Sequence, residues 1–230
     1  MKKVVLITGA SKGLGFVLVE KFLLKDYIVI ATYRKDKEFL EKIKHQNLSL
    51  FQMDVGDELS VKKCFEDIIK SYKSIDVLIN NAAVYLEGKK PTPPITEIDI
   101  EKAMITYNVN SLGPLRVLKY FSPLIMKGKD KLIVNISSEA GSIADCWRDR
   151  EFGYCMSKAA LNMLTKILSN YGKKDGVKVY SVHPGWMRTD MGGSDADISP
   201  EEAAEGIVNF VLSEHSSHEF YDYKGNPMKW

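Results

Sequence analysis

Short apolar runs alternate with helix-like segments along the whole chain, and no other feature of the sequence constrains the fold as much. The six runs predict buried parallel strands at residues 4–7, 28–31, 48–53, 77–79, 132–136 and 177–182. The intervening segments predict helices at about residues 13–25, 36–45, 57–72, 98–126, 152–173 and 200–213. Such alternation is typical of a doubly wound α/β sheet. We therefore predict a single Rossmann-like domain over residues 1–230, with about seven parallel strands and helices on both faces.

Composition narrows the classes of partner and the cell compartment. Hydrophobic residues make up 45% of the 230 residues and charged residues 27%, which predicts a buried core. The formal net charge of +2 gives no reason to expect a nucleic acid or a membrane as partner. No run approaches the roughly 20 apolar residues of a membrane span. Three cysteines without a C-x-x-C pair favour a reducing, cytoplasmic location. The proline-rich segment 88–96 is interpreted as a surface loop.

The sequence ITGASKGLG at residues 7–15 joins the first predicted strand to the first predicted helix. Its glycines, Gly9, Gly13 and Gly15, follow neither the G-x-G-x-x-G pattern nor the phosphate-binding P-loop pattern. Glycines allow a tight turn and a close approach of a ligand to the backbone. Free N–H groups at the start of a helix favour a bound phosphate. The loop is therefore a candidate dinucleotide site, and an ordinary strand–helix turn is the alternative.

Two cations indicate which dinucleotide would bind. Lys12 lies inside the glycine loop, and Tyr33 and Arg34 end the second predicted strand. Proteins that bind a free ribose 2′-hydroxyl usually place an acidic residue at the end of that strand. A guanidinium can instead hold a 2′-phosphate with two hydrogen bonds. We therefore expect NADP(H) to be preferred and NAD(H) to be possible; the alternative is that both cations are solvated surface charges.

Further motifs follow the later strands. They are NNAA at residues 80–83, NISS at 135–138, YCMSK at 154–158 and HPGWMRTDMGG at 183–193. Together with TGASKGLG they make the chain resemble the short-chain dehydrogenase/reductase family. The segments GSIAD, YCMSKAALNM and FYDYKGNPMKW resemble its branch of C-factor and sniffer-type carbonyl reductases. This resemblance implies hydride transfer between a nicotinamide and a carbonyl or alcohol substrate.

Tyr154 and Lys158 are four residues apart on a predicted helix, so they share one helix face. A phenol has an unperturbed pKa near 10, which is high for proton transfer at neutral pH. A nearby ammonium is expected to lower that pKa. The resemblance makes Tyr154 the general acid in reduction and the general base in oxidation. It also makes Lys158 a ligand of the nicotinamide ribose.

The resemblance assigns two more catalytic roles. Ser138 would donate a hydrogen bond to the substrate oxygen, with Ser137 as the neighbouring alternative. Asn110 would order a water that leads to the lysine, with Asn108 as the rival. An asparagine inside a helix has poor helix propensity, which is consistent with a special role.

The remaining cofactor contacts come from loops at the ends of the predicted strands. By resemblance, the glycine loop surrounds the pyrophosphate, Asp54 and Val55 contact the adenine, and Asn81 and Ala82 lie along the adenosine ribose. The full predicted set is Gly9, Ser11, Lys12, Gly13, Leu14, Gly15, Tyr33, Arg34, Asp54, Val55, Asn81, Ala82, Tyr154, Lys158, Pro184, Gly185, Met187 and Thr189.

The predicted function is therefore an NADP(H)-dependent oxidoreductase acting on a small carbonyl substrate. The alternative is a dinucleotide-binding signalling or scaffold protein of C-factor type, in which turnover is secondary. The short segment 186–198 predicts a shallow, open substrate site with broad specificity. No metal-binding motif is present in the sequence. Helices near 98–126 and 152–173 pair across a two-fold axis in this family, so we expect a homodimer or homotetramer.

Overall fold

The computed structural model describes residues 2–87, 95–215 and 218–230. Seven strands form one sheet in the order β3-β2-β1-β4-β5-β6-β7, and every neighbouring pair is parallel. The strands are β1 Val4–Ile7, β2 Ile28–Tyr33, β3 Leu48–Gln52, β4 Val77–Asn80, β5 Leu132–Ile136, β6 Lys178–His183 and β7 Phe220–Asp222. The predicted doubly wound α/β sheet is confirmed. Residues 88–94 of the proline-rich segment lie outside the described residues.

Seven α-helices connect or flank these strands within the described residues. They are α1 Gly13–Leu24, α2 Glu38–Lys42, α3 Glu58–Ser71, α4 Ile100–Tyr107, α5 Gly113–Ile125, α6 Phe152–Gly172 and α7 Pro200–Leu212. Helix α7 begins as its sequence predicts, because Ser199 caps it by accepting from Glu202 N and Pro200 occupies its first turn.

The two faces of the sheet carry separate cores because successive strand residues point to opposite sides. On one face, Val5 and Ile7 of β1 pack with α1, α2 and α7. On the other face, Val4 and Leu6 pack with α3 and α5. Because both faces are covered, the central strands are mostly apolar, which is why the sequence shows short apolar runs.

The predicted helix at 98–126 is interrupted. Residues Asn108–Leu112 form a π-helical turn between α4 and α5. Side chains from this turn reach neighbouring segments: Asn110 bonds to the Val84 backbone, and Ser111 Oγ donates to Ser157 O at 2.8 Å. The wider turn presents these polar side chains to neighbouring segments, as π-turns do at functional sites.

Two other elements differ from prediction in length. Helix α2 covers only Glu38–Lys42 rather than residues 36–45, since Leu40 is its single buried residue. Strand β7, Phe220–Asp222, was among the expected seven but was not located in the sequence. Three residues give too short an apolar run to detect.

A row of polar side chains crosses the middle of the sheet beside α6. Asn80 of β4 is in register with Asn135 of β5, which is in register with Ser181 of β6. Asn80 Nδ2 donates to Asn135 Oδ1 at 2.8 Å, and Asn135 Nδ2 donates to Thr165 Oγ1 of α6 at 2.9 Å. Thr165 and Ser181 share a further hydrogen bond of 2.8 Å. All four residues are buried, so the row ties three strands and one helix together.

Within the described part of the chain, no helix is both long and apolar enough to cross a lipid bilayer. The same residues contain no group of three or more metal-ligating side chains placed to hold an ion. All three cysteines are unpaired: Cys64 is buried, Cys155 is half-buried and Cys146 is exposed.

Candidate active site

The predicted site residues meet at the carboxyl edge of the sheet. Strands β1, β4 and β5 are neighbours, and the glycine loop, the NNAA segment and Ser138 lie at or within two residues of their ends. Because the sheet is parallel, all three segments leave the sheet at the same edge. Helix α6 brings Tyr154 and Lys158 to this edge, and the segment after β6 brings Pro184 to Thr189.

The glycine loop has a fixed backbone shape that requires glycine. Gly9 has φ +64, and a Cβ placed on it would lie 2.7 Å from Ala82 Cα. Thr8 Oγ1 accepts hydrogen bonds from Asn81 N and Ala82 N, each at 3.0 Å. Asn81 Nδ2 donates to Thr8 O at 2.9 Å and to Gly9 O at 3.0 Å. Both the backbone N–H and the side-chain Nδ2 of Asn81 therefore support the loop.

The start of α1 has the properties of an anion site. Lys12 is the N-cap residue, makes no side-chain cap bond, and has no acidic residue in the following turn. Leu14 is buried in the core, so it can offer a ligand only its backbone N–H. A Cβ on Gly15 would lie 2.5 Å from both Gly9 O and Asn81 Nδ2, so this glycine allows close packing. These residues fit the pyrophosphate of a dinucleotide.

The two cations predicted to select NADP(H) follow adjacent strands. Arg34 is exposed beyond the end of β2, next to the half-buried Tyr33. Lys12 Nζ lies 2.7 Å from Asp190 Oδ2, and this hydrogen bond lowers the pKa of the Asp190 carboxyl. Both side chains are largely exposed, at 71% for Lys12 and 80% for Asp190. No local pattern indicates Asp190, which is 178 residues away from its partner.

The other predicted cofactor residues are half-buried or buried. Asp54 Oδ1 accepts from Gly56 N at 2.9 Å, and the Val55 side chain is buried. Gly185 has φ +82 and packs against Ile198. Thr189 Oγ1 accepts from Gly192 N at 3.2 Å. Ser11 and Thr189 are half-buried, and so is Met187, while Pro184 is buried.

Thr189 also lies beside the glycine loop. A Cβ on Gly13, whose φ is +55, would come within 3.6 Å of the Thr189 Cγ2 methyl, which is an ordinary contact. The segment after β6 thus approaches the first turn of α1.

Asn110 is buried, and its side chain is fully engaged. Its Oδ1 accepts from Val84 N at 2.8 Å, and its Nδ2 donates to Val84 O at 2.9 Å and to Ser157 Oγ at 3.1 Å. The side chain therefore ties the segment after β4 to α6. Its rival Asn108 instead bonds to Arg116 and Gly56 O, away from these contacts.

Ser138 and Tyr154 come together at the end of β5. The Ser138 side chain makes a hydrogen bond with Tyr154, and it also accepts from Ala140 N at 3.1 Å. The neighbouring Ser137 Oγ instead donates to Asn162 Oδ1 at 2.6 Å in the interior. The ring of Tyr85 packs edge-on against the Tyr154 ring, with centroids 5.4 Å apart. Of the two serines, Ser138 is the one placed to act with Tyr154.

Burial sets the protonation of this site. It raises the pKa of Tyr154 to about 12, although the hydrogen bond from Ser138 opposes the shift. Burial also lowers the pKa of Lys158 to about 8. Lys158 is 2% exposed, and its Nζ donates to Ile136 O at 2.8 Å and lies 5.7 Å from the centre of the Tyr154 ring. The expectation of a lowered tyrosine pKa was therefore wrong for the chain alone, because desolvation is the largest influence on the Tyr154 pKa.

A carboxylate missed by the sequence analysis holds the start of α6. Glu87 accepts from Gly153 N and Tyr154 N, each at 2.8 Å. It thus satisfies two free N–H groups and places a negative charge at a helix N-terminus, where such a charge is favourable. Glu87 is 66 residues from Gly153, so only the folded structure reveals this cap.

Comparisons with known proteins agree with this geometry. The family model for short chain dehydrogenases matches residues 3–199. The C-signal protein of Myxococcus xanthus is 34% identical over 158 residues, which are 68% of this chain and 93% of that protein. A short-chain dehydrogenase of Pyricularia oryzae is 31% identical over 228 residues, covering 91% of this chain and 89% of its own length.

Solved structures resemble the whole chain. The NADPH-bound carbonyl reductase from chicken fatty liver is 30% identical with a TM-score of 0.89, over 100% of this chain and 99% of that one. The carbonyl reductase Sniffer of Drosophila melanogaster is 28% identical with a TM-score of 0.90, over 100% of both chains. The motifs, their placement at one sheet edge and these likenesses lead to one conclusion: the chain belongs to the short-chain dehydrogenase family.

Proposed function

We propose that the protein reduces carbonyl compounds with NADPH. The observation that carries this proposal is the hydrogen bond between Ser138 and Tyr154. Lys158 lies over the Tyr154 ring, and all three residues stand at the sheet edge where the glycine loop begins. The carbonyl reductases from chicken liver and from Drosophila, which resemble this chain over their whole length, support the assignment.

The proposed roles follow from the positions of the side chains. The bound nucleotide supplies the hydride. Ser138 donates a hydrogen bond to the carbonyl oxygen, and Tyr154 transfers its phenolic proton to that oxygen. With a pKa of about 12, Tyr154 keeps its proton throughout the neutral range, so it is ready to act as an acid.

A Tyr154→Phe variant tests this proposal. It removes the proton that reduction requires and leaves the ring that packs against Tyr85. We expect NADPH oxidation with a panel of aldehydes, ketones and quinones to disappear, while NADPH binding measured by fluorescence persists. Unchanged turnover in this variant would refute the role of Tyr154.

The preference for NADPH is a separate proposal that rests on Lys12 and Arg34. Replacing either by alanine removes one charge-assisted contact to the 2′-phosphate, and we expect about tenfold weaker NADPH binding with little change for NADH. The matched control is Lys35→Ala, because Lys35 is an exposed cation directly after Arg34. An equal loss for both nucleotides, or for the control, would contradict the proposal.

The signalling alternative is supported by the likeness to the C-signal protein. It is not favoured, because the residues proposed for catalysis are all present and three of them meet at one place. If a biological role survived in Tyr154→Phe while hydride transfer vanished, this second function would replace the first.

The substrate is proposed to bind in a shallow, open site with broad specificity. Trp147 and Ile143 after β5 and Trp186 after β6 are exposed on the segments next to Ser138 and Pro184. Such aromatic and aliphatic surface suits small apolar carbonyl compounds. One sharply preferred substrate in the carbonyl panel would contradict this proposal.

A homodimer is proposed through α4 and α6, which pack against each other. Ile100 and Met104 of α4 and Met156, Met163 and Ile167 of α6 are all exposed apolar residues. The spacing of the three α6 residues places them along one stripe of the helix. A second copy that covers this stripe would account for its exposed apolar residues, and a tetramer would need a further contact.

A cytoplasmic location is also proposed, since all three cysteines are free thiols.

A further inference from the structure

Arg148 is an enclosed cation in the segment between Ser138 and Tyr154. Its side chain is 16% exposed. Its Nη2 lies 2.5 Å from Glu139 Oε1, and its Nε lies 3.4 Å from Glu139 Oε2. Its Nη1 bonds to Glu151 Oε2. A planar guanidinium that engages two carboxylates is held in one geometry, unlike an exposed ion pair.

The two carboxylates belong to the segments that carry the proposed catalytic hydroxyls. Glu139 directly follows Ser138 and begins the short 3-10 turn Glu139–Gly141. Glu151 is the residue before α6, and Tyr154 stands in the first turn of that helix. One side chain therefore connects the backbone beside Ser138 to the start of the helix that bears Tyr154.

Both ends of this connection are anchored. At one end, Glu139 N donates to His183 Nδ1 at 3.2 Å, which ties the turn to β6. At the other end, Glu151 has φ +63, a left-handed backbone conformation that residues other than glycine rarely adopt. Tyr85 OH donates to Glu151 Oε1 at 3.1 Å. The contacts around Glu151 therefore stabilise a backbone conformation that is strained by itself.

We propose that Arg148 is a positioning residue: its two-sided ion pair holds Tyr154 in place relative to Ser138, so that both hydroxyls reach the same carbonyl oxygen. This inference rests on the proposed carbonyl reduction. Arg148 acts through Glu139 and Glu151 and does not itself contact the reacting atoms. Its value to catalysis is orientation, since a misplacement of about 1 Å can cost about a hundredfold in rate.

The kinetic test compares Arg148→Met and Arg148→Lys with the control Arg150→Met. Arg150 reaches Glu151 only at 3.9 Å, so the control removes the same charge two residues away without breaking the bridge. We expect Arg148→Met to lower kcat by about 10- to 100-fold with the KM for NADPH unchanged. Arg148→Lys should recover part of the rate, and the control should change little.

A second measurement does not depend on turnover. With tyrosine labelled with carbon-13 at Cζ, the Tyr154 signal is identified by its loss in Tyr154→Phe. We expect this signal to move and broaden in Arg148→Met and to keep its wild-type position in Arg150→Met. If the wild-type protein reduces no carbonyl, the proposed function fails, but this spectrum still tests the bridge.

Glu139→Gln provides a variant that breaks the bridge from its other end, should Arg148→Met fail to fold. The same loss of kcat and the same change in the Tyr154 signal are expected. A folded Arg148→Met or Glu139→Gln protein with wild-type kcat and an unmoved signal would overturn the inference. Equal losses in Arg150→Met would overturn it too, because they would point to the charge of the loop rather than to the bridge.

Discussion

Replacing Lys158 by methionine is expected to stabilise the fold at neutral pH. The ammonium is 2% exposed, and its one recorded hydrogen-bond acceptor is Ile136 O. Burial lowers the pKa of Lys158 from 10.5 to about 8, so the folded state disfavours the charged form. Methionine has a similar length and no charge, and it removes the cost of keeping an ammonium in the interior.

The magnitude follows from the pKa shift. A change from 10.5 to about 8 corresponds to about 3 kcal/mol at pH 7. Losing the hydrogen bond to Ile136 O costs the variant about 1 kcal/mol of stability, which offsets part of this gain. We therefore expect Lys158→Met to gain about 2 kcal/mol in free energy of unfolding at pH 7.

The gain must fall as the pH rises. Between pH 8 and 10.5 the unfolded lysine is protonated while the folded lysine is not, so the unfolded state binds more protons. Wild-type stability contributed by this group therefore rises with pH over that window. The variant has no such group, so its advantage should shrink by about 2 kcal/mol between pH 7 and 9.5.

The assay is urea unfolding of nucleotide-free protein at pH 7, 8, 9 and 9.5, followed by circular dichroism. Lys166→Met is the control, because Lys166 lies on the same helix but is partly exposed and pairs with Glu219 at 2.7 Å. A difference between Lys158→Met and wild type that does not change with pH would refute the reasoning. So would a variant that is less stable than wild type at pH 7.

Three other predictions concern the loop, the helix cap and the dimer. Gly9→Ala should cost about 3 kcal/mol of stability in thermal unfolding, since its Cβ meets backbone at 2.7 Å, whereas Gly225→Ala, with φ +86 and open space, should cost about 1 kcal/mol. Glu87→Ala should cost about 1–2 kcal/mol in the same assay, because two N–H groups lose their acceptor. Met163→Glu should convert the proposed dimer to a monomer in sedimentation equilibrium, and Lys166→Glu, at a partly exposed charged position on the same helix, should not.

The sequence predicted the sheet well because its strands are buried on both faces. Short apolar runs rich in β-branched residues, such as residues 4–7 and 132–136, are typical of strands buried on both faces. The glycine loop could also be predicted from the sequence, because its backbone conformation at Gly9 requires a glycine. The π-turn at Asn108–Leu112 was not predicted, since it depends on Val84 and Ser157, which are distant in sequence.

The proposed site was predicted where motifs are local and was incomplete where partners are remote. Tyr154 and Lys158 are four residues apart, and their spacing alone places them on one face. No sequence pattern indicates Glu87 or Asp190, because each contacts a partner that is distant in sequence. The predicted direction of the Tyr154 pKa shift was wrong for a related reason: the spacing of two residues does not show how deeply the phenol is buried, and burial raises its pKa.

The polar row across β4, β5 and β6 has a consequence for how the chain reaches its fold. Asn80 bonds to Asn135, and Thr165 links Asn135 to Ser181, only when the three strands are aligned as observed. A slip of one residue would turn these side chains to the opposite face of the sheet and leave buried amides without acceptors. Misaligned sheets are therefore less stable than the observed one. Since Ser138 lies three residues beyond Asn135, the alignment that the row selects also sets the height of the proposed catalytic serine above the sheet edge.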